Sequence, residues 1–103
     1  MEGETSAPAC RLNASGLREQ IERYRLISTH TASIERGPRR VVARFDADLP
    51  HGPLEHALEI ERRCCPFIGV EYDDADRRLT LTVRNLGEDP ALDALFEALS
   101  PRG

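Results

Sequence analysis

Two adjacent cysteines, Cys64 and Cys65, are the residues whose type and spacing most directly suggest chemistry in this sequence. They stand in the segment ERRCCPF at 61–67, and the sequence has one other cysteine, Cys10. Neighbouring Cα atoms lie about 3.8 Å apart across a trans peptide, below the roughly 4.4–6.8 Å of a relaxed disulfide. The pair therefore predicts soft-metal ligation or thiol chemistry.

Composition limits the class of protein. The chain has 103 residues, which predicts one domain. Its net charge is −4, and nucleic-acid binding needs a positive surface, so we expect no nucleic-acid partner. Apart from histidine, arginine is its sole basic residue. The first residues lack the basic and apolar regions of a signal peptide, and no apolar run approaches the ~18 residues that span a bilayer. These features predict a cytoplasmic protein with reduced thiols, in which three cysteines fit metal or redox work.

Hydrophobic periodicity and turn residues predict an α+β fold in the order α-β-β-α-β-β-α. Two β-hairpins would form an antiparallel sheet covered by helices, in a single domain at 10–103 behind a flexible tail at 1–9. We expect helices at about 14–29, 53–65 and 89–100, strands at 32–36, 39–45, 67–72 and 78–84, and turns at Gly37-Pro38 and 73–76.

The helix before Pro66 places a carboxylate on its apolar face. With about 100° per residue and Leu54 at zero, Glu61 falls near −20°, Cys65 near +20° and Cys64 near −80°. Burial of a charged carboxylate costs on the order of several kcal/mol of folding free energy unless the group is paired or hydrogen-bonded. Glu61 then has one of two roles. In the first it is structural and accepts hydrogen bonds from helix amides or pairs with an arginine. In the second it is an acid that orients a ligand, takes a thiol proton or binds metal.

The helix end also bears on the state of the thiols. Reactive thiolates usually lie near helix N-termini, whereas Cys64 and Cys65 follow the C-terminal turn, where the dipole disfavours negative charge. Arg62 and Arg63 could offset this, and a bound cation would do so more completely. The position favours a metal ion over an unaided thiolate.

The predicted metal site uses Cys10, Cys64, Cys65 and Glu61. Their spacing does not indicate a zinc site, because there is no C-x-x-C or histidine pair. Sulfur ligands suit a soft ion, so the candidate cofactors are Cu(I), Hg(II), As(III) and, with less support, Zn(II). The three histidines are expected on the surface or in loops: His30, His51 and His56.

Motifs of common enzyme classes are absent from the sequence. There is no phosphate-binding G-x-x-x-x-G-K loop and no G-x-S-x-G elbow. The acidic run at 73–76 lacks the spacing of a calcium loop and predicts a solvated turn. These absences favour a protein that is not an enzyme.

The segment at 61–67 resembles the E-R-x-C-C-x-F core of a family of small bacterial proteins. The likeness extends to Cys10-Arg11-Leu12, the paired strands and the closing helix segment Asp93–Phe96. Such domains are loosely associated with metal-responsive regulators of the mercury-resistance type. The resemblance implies functional positions at Cys10, Glu61, Cys64 and Cys65, without a DNA-binding part.

Three functions follow as hypotheses. The first is a module that senses, buffers or transfers a thiophilic metal through Cys64 and Cys65, with Cys10 and Glu61 assisting. Its partners would be the metal ion, and a metal-responsive regulator or a second copy of the chain, with no membrane or nucleic acid. The second is a thiol redox protein that uses the same cysteines, with Glu61 in proton transfer. The third is an interaction domain in which the cysteines only pack.

Overall fold

The computed structural model describes residues 14–101, which contain three helices and four strands. Their order is the predicted α-β-β-α-β-β-α, and a single 3-10 turn precedes the last helix. The elements are α1 (Ala14–Ser28), β1 (Thr31–Gly37), β2 (Arg40–Phe45), α2 (His51–Cys64), β3 (Gly69–Asp73), β4 (Arg78–Thr82) and α3 (Asp89–Leu99). The α+β prediction is therefore confirmed.

The four strands form one antiparallel sheet in the order β1-β2-β4-β3. Each hairpin pairs its own strands, and the two hairpins join through β2 and β4, where Val41 lies opposite Leu81. Alternation along β2 and β4 buries one face of the sheet, as the sequence pattern predicts. The core residues of this face are Val41, Ala43, Phe45, Leu79, Leu81 and Val83.

The helices cover that buried face and complete the hydrophobic core. α1 packs on both α2 and α3, and α3 also contacts β1 and β2. Leu54 and Leu58 of α2 and Leu92 and Leu99 of α3 are fully buried, each contributing about 2 kcal/mol through removal of apolar surface from water.

Helix α2 starts two residues before the predicted Pro53. Pro50 is its N-cap in an extended conformation, and Pro53 lies in the first turn, where its missing N–H is not needed. The helix ends at Cys64, as predicted from Pro66, which disfavours helical geometry at the preceding residue. Cys65 accordingly has φ −128° and ψ 68°.

The first hairpin turns at Pro38-Arg39 and not at the predicted Gly37-Pro38. Gly37 still pairs with Arg40, and Arg39 adopts a positive φ of 58°. Proline at the first central position and positive φ at the second match a type II turn, which normally selects glycine there. Two contacts hold Arg39 instead: its N–H donates to Asp89 and its guanidinium donates to the carbonyl of Arg84.

Helix α1 presents an unexpected residue to the core. The recurring set Leu17, Ile21, Tyr24 and Ile27 predicted the helix, but Leu17 is 45% exposed. The buried stripe instead follows Gln20, Tyr24 and Ile27, which are spaced four and three residues apart. A polar side chain therefore enters the interior where the apolar pattern alone gave no reason to expect one.

In the described part of the chain, no helix has both the length and the apolar character needed to cross a bilayer.

Candidate functional site

Glu61 is buried, as the helical wheel predicts. It is 3% exposed and lies on the inner face of α2, together with Leu54, Ala57 and Leu58. The hydroxyl of Tyr24 donates a hydrogen bond of 2.8 Å to its Oε1, and Gln20 Nε2 donates one of 3.2 Å to the same oxygen. Helix α1 thus supplies the partners that a buried carboxylate requires.

Gln20 links this carboxylate to the surface. Its Nε2 also donates to the carbonyl of Ala57 at 2.9 Å, while its Oε1 accepts from Arg23 at 2.9 Å. These contacts fix the orientation of the amide, because the nitrogen faces two acceptors and the oxygen faces a cation. Arg23 lies 3.7 Å from Glu19 on the outer side of α1. The network therefore runs from solvent to the carboxylate.

Tyr24 acts as a donor because its phenol holds its proton. Burial raises the pKa of Tyr24 well above its ordinary value, and the negative charge and hydrogen bond of Glu61 raise it further. Ionisation of the phenol would place two negative charges side by side in the interior. At neutral pH the pair is therefore a neutral phenol bonded to Glu61.

A cavity of about 240 Å³ opens beside this network, between α1, α3 and the segment that joins α2 to β3. Glu61 and Cys65 are buried parts of its wall, whereas Leu17 and Ala94 are exposed. The lining is mostly apolar and consists of Leu17, Gln20, Ile21, Tyr24, Glu61, Cys65, Phe67, Ile68, Ala91, Ala94 and Leu95. The cavity thus brings a carboxylate and a sulfur to one largely apolar wall.

The two adjacent cysteines occupy different environments. Cys65 is 4% exposed and lines the cavity. Cys64 is a half-buried free thiol that is not among the residues of the cavity wall. Cys65 is disulfide-bonded, so the neighbours differ in bonding as well as in position.

The backbone holds Cys65 in place on both sides. Its N–H donates to the carbonyl of Glu61 at 2.8 Å, and its carbonyl accepts from the N–H of Ile68 at 3.0 Å. The first bond closes the last turn of α2, and the second closes the turn that leads into β3. Both bonds fix the backbone of Cys65 and therefore the position from which its side chain extends.

Of the four predicted site residues, the structure brings Glu61 and Cys65 onto one cavity wall. Cys64 is next to them in sequence but outside that wall, and Cys10 lies outside the described residues. Between residues 14 and 101, no three or more His, Cys, Asp or Glu side chains form a group that could hold a metal ion.

The histidines take the surface or loop positions predicted for them. His30 Nδ1 lies 3.0 Å from Asp46, and His51 Nε2 lies 3.0 Å from Asp74. The hydrogen bond from His30 lowers the pKa of Asp46. His56 is exposed on α2.

Sequence reasoning did not identify Gln20 and Tyr24 as site residues. The available signal was their spacing, because four residues apart on α1 they share a face. The apolar pattern of α1 predicts Tyr24 as a core position and assigns Gln20 no role. A glutamine within an apolar stripe, with a carboxylate expected in the core of another helix, indicates a buried polar pair.

Comparisons with family models, curated proteins and solved structures gave no significant match to this chain. The resemblance of the segment at 61–67 to the E-R-x-C-C-x-F family therefore stays a prediction.

Proposed function

We propose that this protein is a thiol–disulfide redox module in which Cys65 carries the reactive sulfur. One observation supports this most directly: Cys65 is a disulfide-bonded cysteine on the wall of a cavity that also contains a buried carboxylate, Glu61. A cysteine that only packed as a small apolar side chain would remain a free thiol, as Cys64 does.

Cys10 is the partner sulfur in this proposal. The chain has three cysteines, and Cys64 is a free thiol. A bond between neighbours would in any case require a strained geometry. Cys10 is then the one cysteine that the sequence offers for an intrachain bond with Cys65, although it lies outside the described residues.

The proposed reaction is exchange with the disulfide of a second molecule. The Cys65 thiol gives its proton to Glu61, its thiolate attacks one sulfur of the substrate disulfide, and the other substrate sulfur leaves as a thiolate that takes the proton from Glu61. Cys10, after losing a proton to solvent, attacks Cys65 and expels the second substrate sulfur, which is then protonated. Two electrons pass from the protein dithiol to the substrate disulfide, giving a protein disulfide and two substrate thiols.

Glu61 serves this reaction as a proton acceptor. A carboxylate does not stabilise a neighbouring thiolate by charge, and the C-terminal end of α2 disfavours a thiolate as well. Arg63 offers little compensation, because it is exposed and bonded to Glu59 at 3.0 Å. Transfer of the thiol proton to Glu61 avoids two adjacent negative charges in the interior.

Peptide mapping tests the proposal. Trypsin cuts after Arg11 and Arg63, so Cys10 and the cysteine pair fall in separate peptides. In the Cys64→Ser protein, we expect the peptides of Cys10 and Cys65 to be linked without reductant and separate with it. Equilibration in glutathione buffers should interconvert the two forms reversibly, with a difference of two hydrogens in mass. Absence of the linked peptide after mild oxidation would overturn the proposal.

Soft-metal binding is the second candidate, and the free thiol of Cys64 favours it. After reduction, Cys64 and Cys65 would offer two adjacent sulfurs, with Cys10 as a third and Glu61 nearby. Anaerobic titration of the reduced protein with Cu(I), Hg(II), As(III) and Zn(II), against a competing chelator, measures the affinity.

The Cys64→Ser protein separates the two candidates. Metal binding through the adjacent pair predicts at least a tenfold loss of affinity in this variant, since a thiolate ligand is removed. The redox proposal predicts that the same change leaves the Cys65 couple intact.

A further inference from the structure

We infer that the substrate class of the Cys65 site is a small, uncharged, apolar disulfide, bound in the cavity between α1 and α3. This inference rests on the proposed redox function and adds the chemistry that the cavity selects. Three properties support it: the lining, the charge and the volume of the cavity.

The lining selects an apolar body. From the mouth inward, Leu17, Ile21 and Leu95 supply aliphatic surface, and Phe67 supplies an aromatic ring. Leu17, at 45% exposed, extends this aliphatic surface to solvent. Contact with this wall removes apolar surface of the substrate from water, which favours binding of an apolar substituent.

Charge in the cavity excludes anions. Glu61 is the one charged side chain among the described residues of the wall, and its Oε1 already accepts from Tyr24 and Gln20. An anionic substrate would meet a like charge in surroundings of low dielectric constant, where repulsion is strong. A cationic substrate would lose its hydration against the mostly apolar wall.

The volume limits the size of the substrate. An apolar cavity of about 150 Å³ holds benzene in another protein. At about 240 Å³, this cavity accommodates one aromatic or branched alkyl substituent and the sulfur attached to it. It is too small for a peptide helix, whose diameter with side chains is about 10–12 Å.

The geometry also orders the exchange. The apolar substituent of one substrate sulfur would enter the cavity and bring that sulfur to Cys65 on the wall. The other substrate sulfur would face the mouth and leave first as a thiol, with the proton passed through Glu61. Attack by Cys10 then releases the apolar thiol and leaves the protein disulfide, so electrons and protons balance as in the general reaction above.

Stopped-flow exchange with three probes tests the inference on the full-length, reduced protein with Cys10→Ser and Cys64→Ser, in which Cys65 is the one remaining thiol. The probes are neutral 4,4′-dithiodipyridine, the dianion 5,5′-dithiobis(2-nitrobenzoate) and the dication cystamine. Each rate is divided by the rate of the same probe with 2-mercaptoethanol, an uncharged thiol, at the same pH, which removes differences in intrinsic reactivity. We expect the normalised rate of the neutral aromatic probe to exceed both others at least tenfold.

A pair of matched variants tests the location. Ala94→Leu places extra volume at the cavity mouth, whereas Ala47→Leu makes the same change at an exposed position of the loop before α2. We expect Ala94→Leu to lower the normalised rate of the neutral probe at least fivefold and Ala47→Leu to leave it unchanged. Equal normalised rates for the three probes, or no effect of Ala94→Leu, would overturn the inference.

The outcomes also separate this inference from the redox proposal. A neutral preference that disappears in Ala94→Leu, without any linked Cys10–Cys65 peptide, would support an apolar ligand site and overturn the redox proposal. A reversible Cys10–Cys65 bond without preference among probes would overturn the inference and leave the redox proposal standing.

Discussion

The hydroxyl of Tyr24 on α1 donates a 2.8 Å hydrogen bond to the buried carboxylate of Glu61 on α2. The two residues are 37 positions apart in sequence, so the bond joins the first and second helices at the wall of the cavity. Gln20 adds a second donor to the same oxygen. The three side chains that join α1 to α2 by hydrogen bonds therefore also line the cavity.

Tyr24→Phe should destabilise the protein by about 1.5–3 kcal/mol, because a buried carboxylate loses a hydrogen bond and keeps its desolvation cost. Urea denaturation followed by circular dichroism measures the difference. Tyr72→Phe is the control, since it removes a hydroxyl from a half-buried tyrosine of β3 and should cost less than about 0.5 kcal/mol. Equal effects of the two substitutions would contradict the importance assigned to the Tyr24–Glu61 bond.

Ionisation of the Tyr24 side chain should destabilise the folded protein at high pH. Burial, with the charge and hydrogen bond of Glu61, raises the pKa of Tyr24 in the folded protein, while in the unfolded chain it ionises at about 10. Its contribution to stability is therefore fully present below pH about 10 and is lost as the pH rises towards the folded-state pKa. In Tyr72→Phe protein, the phenolate absorbance at 295 nm should appear together with unfolding; phenolate formation in a folded protein would contradict this.

Most of the fold could be predicted from the sequence because the determining signals are local. Alternation at Val41, Ala43 and Phe45 gives the buried sheet face, and Pro66 gives the end of α2. The start of α2 is less certain from sequence, because Pro53 fits any position of a first turn; the structure places it third, after an N-cap at Pro50.

The candidate site was predicted only in part, because its partners come from another element. The helical wheel of α2 identifies Glu61 as a buried acid. It does not identify the donors, which depend on how α1 rotates when it packs against α2. That rotation buries Gln20 and exposes Leu17, a tertiary outcome that the period of α1 alone does not fix.

Gly69→Ala should destabilise the hairpin of β3 and β4. A Cβ built at Gly69 would lie 2.6 Å from Thr82 Oγ1, its partner across the strands, so the threonine must move. We expect a loss of about 1–3 kcal/mol, the usual cost of overpacking.

Two comparisons check the cause at Gly69. Gly69→Ala combined with Thr82→Ala should recover most of the loss, because the clashing oxygen is gone. Gly52→Ala is the matched control: its Cβ meets nothing within 4 Å and it lies in the first turn of α2, so a gain of about 0.5–1 kcal/mol is expected. Denaturation midpoints measure all three variants, and a Gly69→Ala protein as stable as wild type would show that Thr82 moves without cost.

Glu61→Gln should slow thiol–disulfide exchange at Cys65 by at least tenfold at neutral pH. The amide preserves the shape of the side chain and accepts from Tyr24, but it does not take the thiol proton, and general-base groups typically contribute about 10²–10⁴ in rate. Above the pH at which the thiol ionises unaided, the variant and wild type should converge, because proton removal by Glu61 is no longer needed. A rate ratio that is constant with pH would indicate that Glu61 only packs.

The matched control for Glu61→Gln is Glu55→Gln, which makes the same change on the exposed face of α2 and should leave the rate unchanged. Both are measured in protein that also carries Cys10→Ser and Cys64→Ser, with the neutral aromatic disulfide, so that the signal reports Cys65 alone. Since Glu61→Gln removes a buried charge, the stability of this variant is measured in parallel by urea denaturation. An exchange rate in Glu61→Gln equal to that in Glu55→Gln would remove the carboxylate from the mechanism, because the acid would then be a structural acceptor for Tyr24 and Gln20.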